Sequence, residues 1–147
     1  MDKPFEQTTE HSLLAAIQFT GYYFKKMTFE LNESYDQSEV NIKFDIDFKV
    51  SFDKENQTAL LALLCTVFPE EEAVSYPFRL YAEMLANFTY SETLTDEKLY
   101  SMVTENGIAI MFPYIRSAIS NICVNAGVNP LVLPTINVVE FVKSKSS

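Results

Sequence analysis

Histidine occurs once in this sequence, glycine three times and tryptophan not at all. The single histidine, His11, lies in a polar stretch, Met1 to Ser12, that reads as a flexible tail. Its isolation removes the Ser-His-Asp and Cys-His pairings that activate a nucleophile, and most catalytic zinc sites, which draw on histidine or clustered cysteine. Three glycines are too few for a loop that cradles phosphates, and no Gly-rich nucleotide-binding pattern occurs. No cofactor and no metal are therefore expected. Cysteine is sparse too: Cys65 and Cys123 sit far apart in apolar runs and read as buried small hydrophobes, with a disulfide left open.

Positive charge is also scarce. Eleven basic residues stand against twenty acidic ones, a net charge of −9, and no basic cluster exists to meet a phosphate backbone, which argues against a nucleic-acid partner. No uninterrupted apolar run approaches the length that spans a bilayer. The start, Met-Asp-Lys-Pro-Phe-Glu, lacks the charged-then-apolar order of a leader, and Leu13 to Ile17 is too short for its apolar centre. The expectation is a cytoplasmic protein without direct membrane insertion.

What the chain has in quantity is apolar side chain. Of its 147 residues 48% are apolar and 14% aromatic, enough for one domain, residues 1–147, with a real core. Four strand-like runs come first. From Ile17 to Leu31, the residues Ile17, Phe19, Gly21, Tyr23, Met27, Phe29 and Leu31 alternate as one face broken by Lys25, while Tyr22 and Phe24 fall on the polar side. A turn-rich crossover with Tyr35 follows. From Asn41 to Asp53 alternation is nearly perfect, with Ile42, Phe44, Ile46, Phe48, Val50 and Phe52 on one side and Lys43, Asp45, Asp47 and Lys49 on the other. Thr58 to Phe68 is apolar through its centre, which fits a strand covered on both faces by neighbours or by another subunit. Tyr76 to Tyr90 alternates through Phe78, Leu80, Ala82, Met84, Ala86 and Phe88.

Helical patterns follow. Thr95 caps a short helix that ends at Asn106-Gly107. The main helix takes Pro113 in its first turn, carries the stripe Ile115, Ile119, Ile122 and Ala126, and stops at Gly127. Pro130 and Pro134 then hold the chain extended, a stiff apolar crossing in the stretch that closes at Val142. Strands first and helices last give the α+β class: a four-stranded antiparallel sheet with a long amphipathic helix and a short helix packed on one side. Asp45 and Asp47 share a strand face, but Lys43 and Lys49 flank them, and a solvated face outweighs a paired acid–base site. Glu70, Glu71 and Glu72 read as a loop charge run. No catalytic set emerges, so an enzyme is not expected.

Two motifs in the right order and separation carry a resemblance. Phe112-Pro113-Tyr114-Ile115-Arg116 is similar to the Phe-Pro-Tyr-x-Arg opening of the long helix in the SecB protein-export chaperone family. Pro130-Leu131-Val132-Leu133-Pro134-Thr135-Ile136-Asn137 is similar to that family's Leu-rich segment ending in Pro-x-x-Asn. Ile42 to Asp47 looks like its alternating second strand and Tyr23 to Glu30 like the end of its first, so the resemblance covers Ile17 to Val142.

The resemblance implies four antiparallel strands, long helices packed between sheets, and a homotetramer built as a dimer of dimers. It implies a holdase that uses neither ATP nor metal, binds unfolded or export-bound polypeptides and hands preproteins to the SecA translocation motor. Candidates for a client groove are Tyr35, Ile42, Phe44, Phe78, Met84, Met102 and Met111, since adaptable Met and aromatic side chains suit promiscuous binding. Plain core packing competes as the reading for each. Glu30 and Glu83 match acidic positions that contact SecA in the family, yet the usually acidic position four residues before Glu30 is Lys26, and no long acidic or Gln-rich tail follows Lys143. Two other readings stand beside export: a SecB-like chaperone guarding an antitoxin, and a non-chaperone oligomeric module whose apolar surface is spent on self-assembly.

Overall fold

Alternation builds a sheet. In the computed structural model, which describes residues 15–35, 41–69, 76–91 and 93–146, four antiparallel strands form it: β1 (Ile17–Leu31), β2 (Phe44–Asp53), β3 (Thr58–Val67) and β4 (Phe78–Tyr90). Their spatial order is β1-β4-β3-β2, so the crossover after β1 carries the chain from one edge to the other. The tail at residues 1–12, the acidic residues 70–72 and residues 36–40 of the crossover lie outside the described residues.

β2 and β3 pair without a register break. Phe44, Ile46, Phe48, Val50 and Phe52 share a face with Ala59, Leu61, Leu63, Cys65 and Val67, and with the row of β4 from Phe78 to Phe88. That face carries the core. β3 is the doubly apolar strand expected; its other face, Leu60, Ala62 and Leu64, is half-buried, and Leu85 beside Ala62 is buried.

β1 departs from simple alternation. Register shifts between Phe19 and Gly21 and between Phe24 and Lys26 insert Thr20 and Lys25 as extra residues. Each bulge exchanges the two faces. Ile17, Phe19, Tyr22, Phe24, Met27, Phe29 and Leu31 therefore all pair with the core-side row of β4, and Tyr23 moves to the outer face. The assignment of Tyr22 and Phe24 to the polar side, and of Tyr23 to the apolar one, is corrected: the inserted Thr20 shifts the alternation so that Tyr22 and Phe24 fall on the core side, and the inserted Lys25 shifts it back for Met27, Phe29 and Leu31.

Helices cover one face. The side chain of Thr95 caps α1 (Asp96–Ser101) by accepting from the Lys98 N–H at 3.3 Å, and Asp96 and Glu97 suit the positive end of its dipole. The break expected at Asn106-Gly107 is absent. A π-helical turn, Met102–Asn106, leads straight into α2 (Gly107–Asn125). The buried Thr104 donates its hydroxyl to the Tyr100 carbonyl at 2.6 Å, the acceptor an α-turn would use. Gly107 marks a close crossing: a Cβ there would sit 2.7 Å from a Leu61 methyl and 3.2 Å from the Phe88 ring. Pro113 likewise lies inside the helix and not in its first turn. The carbonyl it leaves without a donor belongs to the exposed Ala109, where solvent can take the bond.

The continuous helix Asp96–Asn125 is long and apolar enough to cross a membrane by length and composition, although no uninterrupted apolar run marks it in the sequence. Its apolarity has a local use: Ile108, Met111, Phe112, Ile115, Ile119 and Cys123 form a buried stripe in the core shared with the sheet. α2 ends as expected near Gly127, at φ 80°, with the Val128 N–H bonded to the Cys123 carbonyl. The crossing segment lies outside any helix or strand as far as Asn137. The expected extended stretch through Val142 is instead a helix, α3 (Val138–Ser146). Asn137 caps it, its side-chain oxygen accepting from the Glu140 N–H at 3.1 Å. Two leading valines, poor helix formers, disguised it.

Candidate functional site

The apolar face of four strands is wider than the helix that covers it. Its two margins, along β1 and along β2, stay partly open, and aromatic side chains line both.

On the β1 margin, Tyr22 is 45% exposed and its ring lies 4.7 Å from Tyr114 of α2. Phe19 sits 5.8 Å from Tyr114 and 5.7 Å from Phe88, and Phe24 meets Tyr22 edge-on at 6.2 Å. Met27 and Leu31 continue the exposed apolar row along the strand, Tyr23 is exposed on the opposite face, and Ile110 is exposed on the helix. Tyr114, from the Phe-Pro-Tyr motif, thus belongs to this surface.

On the β2 margin, Phe44, Phe48 and Phe52 recur every fourth residue, and all three are half-buried. Phe48 meets Phe141 of α3 edge-on at 5.7 Å, and Phe52 meets Tyr90 at 6.3 Å. The other side of the strand carries exposed Asp45, Asp47, Lys49 and Ser51. One carboxylate turns inward along the chain: Asp47 accepts the Phe48 N–H at 2.8 Å.

Between the margins the two sequence motifs form one structure. Arg116 donates its Nε–H to the Leu133 carbonyl at 3.0 Å, and Ser120, one turn on, donates to the Leu131 carbonyl at 2.7 Å. Leu131 and Leu133 are buried beneath this strap. Arg116 therefore meets a backbone carbonyl, while its guanidinium lies 5.7 Å from the Phe112 ring. Pro134 is exposed at the end of the strap. Both cysteines are free and buried, as expected of small hydrophobes. Burial pushes the Cys65 thiol up to about 12, with the Asp45 charge adding to it, and burial also raises Cys123.

The groove candidates divide. Phe78, Met84 and Met111 are buried in the core, Phe78 between Phe29 at 5.1 Å and Phe68 at 5.2 Å. Met102 is half-buried in the π-helical turn and Tyr35 half-buried just after β1. Ile42, exposed directly before β2, and Phe44 on it are the two that fall at a margin. Pattern reading passed over Phe48, Phe52 and Phe141 as candidates, and over Tyr22 and Phe24. A signal was present for the last pair: Tyr22-Tyr23-Phe24 after Gly21 is a run that no two-residue period can divide.

Glu30 and Glu83 lie on the outer face, opposite bases. Glu83 accepts a hydrogen bond from the Tyr81 hydroxyl at 2.8 Å and lies 3.7 Å from the Lys25 ammonium. Lys26 stands opposite Glu83 in register, with its ammonium 5.8 Å from the Tyr81 ring, and Glu30 stands opposite Arg79. Burial and the bond to Glu83 push the Tyr81 hydroxyl up to about 12. Among the described residues no group of three or more His, Cys, Asp or Glu could hold a metal ion.

Known proteins resemble this chain in sequence and in fold. A sequence profile described as Preprotein translocase subunit SecB matches residues 10–146. An uncharacterized protein of Methanocaldococcus jannaschii is 30% identical over 125 residues, 84% of this chain and 80% of that protein. A Mycobacterium tuberculosis SecB-like chaperone, solved in complex with a peptide from the HigA1 antitoxin, superposes with a TM-score of 0.67 over 83% of this chain and 91% of that one. At 17% identity that likeness is one of fold.

Proposed function

The chain belongs to the SecB family, and we propose that it is an ATP-independent holdase that keeps unfolded polypeptides soluble by burying their apolar segments along the β2 margin. The observation that carries this reading is the row Phe44, Phe48 and Phe52, half-exposed on a strand whose other side is charged. Apolar burial returns about 25 cal/mol per Å², and the ordering of a flexible chain offsets much of it. A client must therefore make many weak contacts along an extended surface, and a phenylalanine ladder on a ten-residue strand offers them.

The β1 margin serves assembly in this reading. Tyr22, Met27 and Leu31 on one side and Tyr23 on the other expose large apolar groups, and with Tyr114 and Ile110 they fit a permanent interface with another copy. A homotetramer, built as a dimer of dimers, is the state proposed. The function requires no enzyme activity, cofactor or membrane insertion, and its place is the cytoplasm.

Two kinds of client remain to be separated. Export delivery to SecA would use Glu30 and Glu83, and the bases facing both weigh against it. A guarded antitoxin gains support from the Mycobacterium tuberculosis chaperone, which holds an antitoxin peptide. The holdase reading is tested by diluting a denatured client into stoichiometric chaperone and following light scattering. Suppressed scattering is expected; a folded oligomer that leaves aggregation unchanged refutes it. Calorimetric titration of SecA into the same protein decides the export version, with no binding expected.

A further inference from the structure

β1 and β2 are the two edges of the sheet, and their backbones differ. β1 is interrupted by two bulges, devices that spoil an edge for further pairing. β2 runs its ten residues without a shift. Its hydrogen-bond phase follows from one contact: Phe68 donates its N–H to the Lys43 carbonyl at 2.7 Å. Residues 43 and 68 are thus a bonded pair, and bonded pairs alternate along an antiparallel ladder. Asp45, Asp47, Lys49, Ser51 and Asp53 then bond to β3, while the amides and carbonyls of Phe44, Ile46, Phe48, Val50 and Phe52 point away from the sheet. Phe48 agrees, since its N–H goes to the side chain of its own neighbour Asp47.

The residues with outward backbone groups are also those whose side chains form the phenylalanine row. Resting on the holdase reading above, we infer that β2 takes its client by strand addition. An extended client segment lies along Phe44–Asp53 and exchanges backbone hydrogen bonds with Phe44, Ile46, Phe48, Val50 and Phe52. Its side chains alternate, one set falling against Phe44, Phe48 and Phe52, the other beside Asp45, Asp47 and Lys49. That outer row is acidic in balance, on a chain of net charge −9, so the matching client alternates apolar with polar or basic residues. In the free protein the Asp47 carboxylate caps the Phe48 N–H and blunts the edge against pairing with another copy. The client displaces that carboxylate, and a basic client side chain gives it a new partner.

The test is a ten-residue peptide alternating valine and lysine, labelled at its N-terminus and titrated with the full chain by fluorescence anisotropy. Two derivatives carry N-methyl groups on alternate backbone nitrogens, one derivative for each phase. Both keep the parent's charge, so general electrostatic attraction cancels. Strand addition predicts that one phase binds about tenfold more weakly, or worse, while the other binds like the parent. Equal affinities for the two derivatives overturn strand addition and leave the holdase reading standing. A parent peptide that fails to bind where a denatured protein binds also overturns it. If neither binds to the folded oligomer, the holdase reading falls as well.

Discussion

Along β1, large apolar side chains are exposed on both faces of the edge: Tyr22, Met27 and Leu31 on the core side and Tyr23 on the outer side. Along β2, the apolar row lies on one face and is half-shielded, partly by Phe141 of α3, while the other face is charged. Water tolerates the second arrangement better than the first. An edge that is apolar on both sides needs a standing partner, whereas an edge that is apolar on one side can receive a partner and release it. Two margins of one sheet are thus fitted to different lifetimes of contact, the basis for assigning assembly to one and client binding to the other.

Phe112→Ala would break the comparison altogether, because Phe112 is buried in the core that both margins depend on. We expect a loss of about 3–5 kcal/mol in chemical denaturation, with assembly and client binding failing together. Tyr114→Asp places a charge beside Tyr22 and Phe19 without touching β2. Light scattering should then report monomer at micromolar concentration, with the thermal melt still cooperative; an unchanged mass would remove assembly from the β1 margin. Phe48→Asp should do the converse, leaving mass unchanged and weakening client affinity about tenfold or more in calorimetry. Asn137→Ala is the mildest, costing roughly 1 kcal/mol for a lost helix cap and loosening α3 over Phe48 without changing mass.

Most of the fold was legible because its periods are clean. β2 alternates without exception, β4 nearly so, and the stripe of α2 repeats at helical spacing. Errors arose where local signals and packing disagree. Gly107 looks like a stop, yet its missing side chain is what lets the helix pass within reach of Leu61. Pro113 looks like a first-turn residue, yet its missing N–H is tolerated mid-helix opposite an exposed carbonyl. The bulges in β1 could not be placed from alternation, because a two-residue period has no way to mark an inserted residue. The same gap hid Tyr22 and Phe24, and with them the β1 margin. On β2 the period was right, but nothing in the sequence tells which members of an apolar row the helices leave half-open, so Phe44 was singled out and Phe48 and Phe52 were not.

The most direct test of the central claim measures aggregation of a denatured client in the presence of stoichiometric wild-type protein or Phe48→Asp, both matched for mass and melting temperature. The wild type is expected to hold scattering down, and Phe48→Asp to let it rise as if no chaperone were present. Equal suppression by the two proteins, or none by a folded wild-type oligomer, would contradict it.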